Sequence, residues 1–378
     1  MMQDREARFL RVRYAPAVAP PQRSVGAFAW MRANLFSSFG NAALTLGALA
    51  LIAYAASGLI DFALVSAAPP QGDVNACRAR EGACWPFIAA KLDQFVYGRY
   101  PQAERWRIDL AGGLLVAAVV YFVVGGRVRS RMALLVLAVA YPVVAGFLLA
   151  GGVFGLPAVE TALWGGLSLT ILITLVGMAA SLPLGILLAL GRRSAWPLVR
   201  LLSIIFIEFW RGVPLITVLF MGSVMLPLFL PAGISIDKLL RALIAVALFS
   251  SAYMAEVVRG GLQSIPKGQY EAARGLGLSG AQTMMLIILP QALANVIPAI
   301  VNTFTALLKE TTLVLIIGLF DFLGMIQFGL TDPAWAAPTT AYTGYLFAAM
   351  VFWALCFGLS RYAASIERGL SRSRRGFQ

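Results

Sequence analysis

Long apolar runs alternate with short polar, arginine-rich joints along most of this 378-residue chain. A helix crossing a bilayer needs ~20 apolar residues, because its backbone polar groups must be satisfied within the segment itself. Eight runs approach that length, at about 39–60, 109–126, 132–151, 164–190, 201–222, 239–258, 291–317 and 342–362. The pattern therefore predicts an all-α, polytopic membrane protein with about eight transmembrane helices. Two polar stretches interrupt it: a long insertion at 61–108 and a helix-prone loop ending at Pro290.

Composition agrees. The chain is 60% hydrophobic and 12% charged, where soluble domains run about 25% charged. A soluble globule is excluded. A net charge of +13 would point to nucleic acid in a soluble protein, but here its distribution argues for a lipid bilayer and against nucleic acid. With the N-terminus inside, twenty of the thirty Lys and Arg residues fall in 1–38, 127–131, 191–200, 259–289 and 363–378, counting Arg361 at the boundary. Short basic loops stay cytoplasmic, so both termini are expected in the cytoplasm. The arginines at 127, 129 and 131 and the Arg192-Arg193 pair are the clearest markers. The charged stretch before the first span runs to nearly forty residues, too long for a secretory signal, and that span is expected to remain uncleaved.

On this topology the 61–108 insertion faces an oxidising compartment. Cys77 and Cys84 either pair there as a disulfide or stand as two independent buried thiols. Downstream, the 164–190 span carries Gly165, Gly166, Ser168, Thr170, Thr174, Gly177, Ser181 and Gly185. Small residues let helices approach closely in lipid, which predicts a packed five-helix core after three accessory spans.

The loop reads Glu271-Ala272-Ala273-Arg274-Gly275-Leu276-Gly277, then nine residues, then Ile287-Ile288-Leu289-Pro290. Its first half is compatible with helix, and Gly275 and Gly277 are expected to end it. Ser279-Gly280-Ala281-Gln282 reads as a capping box opening a second helix. The result is a helix–turn–helix knob suited to a socket on another protein.

Glu208 and Arg211 fall about halfway along their span, with Gly212 and Pro214 next to break the helix. Either Arg211 meets a carboxylate along a transport pathway, or the two side chains pair and fix packing. Lys309, Glu310, Thr311 and Thr312 form a second polar break that either lines an outward cavity or ends a helix. Glu256 and Arg259 read as a solvated interface pair. The chain has no histidine and no G-x-x-x-x-G-K-[ST] loop, so no metal site, catalytic residue or ATPase site of its own is expected.

The 271–290 loop resembles the E-A-A-x3-G-x9-I-x-L-P loop of ATP-driven importer subunits. Together with Glu208-Phe-Trp-Arg211-Gly-Val-Pro214-Leu215 and Lys309-Glu-Thr-Thr-Leu313, it is similar to bacterial polar-amino-acid ABC permeases. The three leading spans and Gly82-Ala-Cys-Trp-Pro-Phe87 look like the M-type permease of general L-amino-acid importers. That resemblance implies a multi-pass subunit of the bacterial inner membrane with a type I importer core at 162–367. Before the core come a cytoplasmic tail at 1–38 and accessory helices at 39–151; a basic tail at 368–378 follows it. It further implies a second permease subunit, two copies of a cytosolic ATPase that bind the ATP, and a periplasmic amino-acid-binding protein. Glu271, Ala272, Ala273, Gly277, Ile287, Leu289 and Pro290 would then form the coupling loop. Glu208, Arg211, Gly212, Pro214, Lys309, Glu310 and Thr311 would be the candidate pathway. The rival is a stand-alone secondary transporter or channel for small polar solutes, which would have no use for a docking knob.

Overall fold

A computed structural model describes residues 26–124, 131–153, 155–231 and 235–375. Residues 1–25 of the N-terminal tail, 127–130 of the arginine turn and 376–378 of the basic tail lie outside them. The chain divides into two compact units, Met1–Ser66 and Ala67–Gln378.

The first unit holds α1 (Ala27–Asn34) and α2 (Phe39–Ile60), the latter prolonged by a π-turn to Val65. Ser38 caps α2 by accepting from the Asn41 N–H. No residue of α2 is buried. A helix that is apolar on every side and long enough to cross a bilayer is a membrane span.

The second unit begins with α3 (Val74–Arg78), α4 (Trp85–Tyr97), α5 (Trp106–Val124) and α6 (Arg131–Ala150). The core then follows as α7 (Gly166–Gly191), α8 (Pro197–Gly212), α9 (Leu215–Phe220) and α10 (Lys238–Gln263). Next come α11 (Lys267–Gly275), α12 (Gly280–Gln282), α13 (Leu289–Asn295) and α14 (Ile297–Glu310), then α15 (Phe322–Leu330) and α16 (Thr340–Arg375). Five helical segments among the described residues are long and apolar enough to cross a membrane; α8 with 215–229, bent by 102°, makes a sixth if counted as one span. The accessory helices α5 and α6 flank 125–130, outside the described residues.

The core is organised by α7 and α10, which run parallel. The buried face of α7 is Gly166, Thr170, Thr174, Gly177, Ser181, Gly185 and Ala189, recurring about once per turn. Val246 and Met254 of α10 sit where side chains on residues 177 and 185 would project. The hydroxyls on this face are satisfied: Thr174 donates to the Thr170 carbonyl, and Thr170 Oγ1 accepts from the Phe322 N–H. Helix contact in lipid thus comes from close packing without stranded polar groups.

At the start of α7 sits a cap built from the insertion. Cys77 and Cys84 are disulfide-bonded, with Cα atoms 5.1 Å apart. Phe87 and Phe95 of α4 are fully buried against Phe322, Met325 and Ile326 of α15. Gly98 ends α4 at φ +66° and lies against the Gly165 backbone, where a Cβ would come within 2.5 Å of the Gly165 Cα. Lys91 bonds Asp332 at 2.7 Å, and the Cys84 N–H donates to Thr343 on α16. Arg107, expected just outside a span, is fully buried on α5; it pairs with Glu104 and donates to the Pro157 carbonyl.

Candidate functional site

The knob lies at the opposite end of α7 from the cap, about 39 Å away along 26 residues of helix. Pro266 fixes the start of α11, and the helix runs through Gly275, so Gly275 does not break it. The turn falls on Gly277 alone, at φ +75°, a conformation open to glycine at little cost. The Leu278 N–H reaches back to the Ala273 carbonyl. Ser279 and Gln282 form a reciprocal capping box that starts α12. A π-turn over Thr283–Ile288 follows, and Pro290 opens α13.

Burial sorts the motif by role. Ala273 is 1% exposed and faces the core, while Glu271, Ala272 and Gly277 face outward. Ile287, Leu289 and Pro290 are half-buried and join the knob to the helix behind it. Gln291 bridges to Gln269 at 3.3 Å, and Asn295 donates to Ser264 at 2.8 Å. The knob is therefore anchored on its inner side and leaves an outer face bearing Leu276, Met285 and Leu286, all well exposed.

The Glu208 span is not straight. Pro214 disfavours helix at the residue before it, and Val213 is extended at φ −109°, ψ 133°. The chain turns 102° there. Glu208 consequently lies beside Arg192, the residue capping α7, with an Nη1–Oε1 distance of 2.9 Å. The same Arg192 nitrogen holds Glu256 Oε1 at 2.8 Å, and Glu256 Oε2 holds Arg259 at 2.7 Å. Arg211 stands 3.9 Å from both carboxylates. The Glu208–Arg211 contact is thus the looser one, and the Glu256–Arg259 pair, expected to be a solvated interface pair, is half-buried and the hub of a five-member network. Three arginines face two glutamates, so every carboxylate is compensated.

The second polar break also comes into this region. After Glu310 the α14 helix tightens into a 3₁₀ turn over Thr311–Ile317. Thr311 and Thr312 donate to the Leu308 and Lys309 carbonyls, drawing acceptors away from the helical ladder. This turn packs against α9, and Trp210, Val213 and Leu313 share one apolar cluster. The two breaks are therefore neighbours, with Thr311 buried, Glu310 half-buried, and Lys309, Gly212 and Pro214 exposed.

Sequence reasoning missed the role of Arg192, which sits in a joint where arginine is expected merely as a marker of the cytoplasmic side. It also missed Asp321. That side chain is fully buried and accepts from the Gly324 and Leu323 N–H groups as the cap of α15. The short Asp-x-x-Gly spacing ahead of an apolar run was its only signal.

Residues 181–372 match the family model for the binding-protein-dependent transport system inner membrane component. The chain is 52% identical to the inner membrane amino-acid ABC transporter permease protein YhdY of Escherichia coli, over 92% of this chain and 94% of that protein. It is 38% identical to the glutamate/glutamine/aspartate/asparagine transport system permease protein BztC of Rhodobacter capsulatus, over 96% and 97%. A solved amino acid ABC transporter is 30% identical over 54% of this chain and 91% of that one, with a TM-score of 0.48.

Proposed function

This chain belongs to the inner membrane components of binding-protein-dependent transport systems, as an amino-acid ABC transporter permease, and we propose that its α11–α12 knob is the part that seats in the partner ATPase. It is the membrane subunit of an importer that moves L-amino acids from periplasm to cytoplasm, with ATP hydrolysed on a separate subunit. The observation that carries the docking assignment is the knob's two-sidedness: Ala273 is locked into the core while Glu271, Ala272 and Gly277 are presented outward. A surface anchored behind and apolar in front is suited to transmit a push.

The finer arrangement follows from this reading. Both termini and the knob lie in the cytoplasm, and the disulfide-bearing cap faces the periplasm and its binding protein. A second, homologous permease subunit completes the membrane part, and two ATPase copies bind the ATP. The paired breaks at Gly212–Pro214 and Lys309–Thr311 line the substrate path, because interrupted helices free backbone groups for a polar ligand. Glu208 and Arg211 lie at its knob-side end. For substrate, the Rhodobacter relative is named for acidic amino acids and their amides, and we place this chain's cargo among polar L-amino acids.

Purification in mild detergent, with mass spectrometry of what accompanies the chain, tests the assembly. A P-loop ATPase and a second permease are expected. Recovery of the chain alone or as a homo-oligomer, under conditions that preserve known importers, would overturn the heteromeric arrangement.

A further inference from the structure

We propose that Arg192 and Arg193 are positioning residues for transport, relaying motion of the knob to the broken helix at Val213–Pro214. The inference rests on the knob being the element seated in the ATPase. Arg193 Nη1 donates to Tyr270 Oη at 3.4 Å, and its guanidinium lies 6.0 Å from the Tyr270 ring. Tyr270 immediately precedes Glu271 on α11 and packs against the cluster of Met254, Val258 and Ile288. The adjoining Arg192 holds Glu208 of α8 and Glu256 of α10 through a single nitrogen. Two consecutive residues at the end of α7 are thereby tied to the knob on one side and to α8 on the other. Glu208 stands one helical turn before Gly212, where α8 ends.

The network has the composition of a two-position device. Arg211 faces the same two carboxylates at 3.9 Å and rests 5.9 Å from the Tyr253 ring. A small displacement of Arg192 would leave Arg211 to take Glu208, so charge stays compensated in both arrangements. Coupling between distant sites requires an element with two discrete states that both sites bias. Here the exchange of Glu208 between Arg192 and Arg211 would change the angle of α8 at its hinge.

The test uses the full importer in proteoliposomes, with uptake and ATP hydrolysis measured on the same preparation. Arg192→Gln is expected to lower substrate moved per ATP at least tenfold while hydrolysis continues. Arg192→Lys should recover the ratio to within threefold, since one ammonium can bridge both carboxylates as the single Nη1 does. Uptake and hydrolysis falling in equal proportion, or neither changing, would overturn the relay. Gly277→Asp run alongside separates the premises: uptake unaffected by it removes the knob assignment itself, whereas uptake lost by it together with a coupled Arg192→Gln removes only the relay. If Arg192→Gln does not assemble, Arg193→Gln, Tyr270→Leu and their double variant decide the matter. The relay predicts a double variant no more uncoupled than the worse single, and multiplicative losses would refute it.

Discussion

The knob and the cap sit at opposite ends of α7 and are held rigid by different means. The knob is built locally: Gly277, the Ser279–Gln282 capping box and the turn from Leu278 back to Ala273 all act within a dozen residues. The cap is built by burial, with Phe87 and Phe95 sunk among residues more than two hundred positions away. Even their glycines differ. Gly277 needs its positive φ, but nothing lies within 4 Å of where a Cβ would be; Gly98 needs both positive φ and the missing side chain. An element proposed to present a face to a partner keeps its surroundings open. One that must stay seated fills them.

Breaking the knob should have the largest effect on function. Gly277→Asp is expected to abolish uptake while the chain still inserts, as followed by transport and by membrane yield. Gly277→Ala should act far more mildly on stability, by about 1 kcal/mol of left-handed backbone cost. The cap glycine should behave in the opposite way. Gly98→Ala adds a backbone clash with Gly165 to the same cost, and at least 2–3 kcal/mol of lost stability is expected in thermal unfolding in detergent. Equal effects of alanine at 98 and 277 would dissolve the contrast between the two regions.

Replacing Cys77 and Cys84 together by serine should cost about 2 kcal/mol, the loop-closure value for a bridge across seven residues. The loss should appear in the unfolding temperature before it appears in uptake. Burial pushes the Asp321 carboxyl up to about 6 from an ordinary value of 3.8. A raised carboxyl favours folding fully below the ordinary value, and its contribution is lost as pH rises through about 6. Stability should therefore decline across pH 4–6, and Asp321→Asn, which keeps an acceptor for the α15 N–H groups, should flatten that decline. The smallest effect is expected at the half-buried Lys91–Asp332 pair: Lys91→Ala should shift the unfolding midpoint by less than about 3 °C. The Lys91 bond holds the Asp332 carboxyl below its usual range, so that contribution is present above the ordinary pKa and fades only at strongly acidic pH.

Much of the knob could be read from the chain because its determinants are near neighbours. A serine three before a glutamine, a glycine after an alanine-rich helix and a proline before an apolar run each act within one turn. The small-residue face of α7 was legible for the same reason, since its period is the helix's own. The charged network was not. Arg192 meets Glu208 across 16 residues and Glu256 across 64, and neither spacing has any local signature. Pro214 announced a break, but the 102° angle depends on what α8 and α9 pack against. That angle moved Glu208 from the expected middle of a span to the end of α7.

The sequence by itself determined that this is a membrane protein, that apolar helices dominate it, and that a self-capped polar knob interrupts them. Those features follow from hydrophobic length, backbone satisfaction and capping, which act between residues close along the chain. Only the tertiary structure decided that α4 is a buried wedge, that two helix breaks are neighbours, and that one arginine joins two carboxylates. Such contacts depend on how helices cross, and the crossing is set by side chains that meet only after the chain has folded.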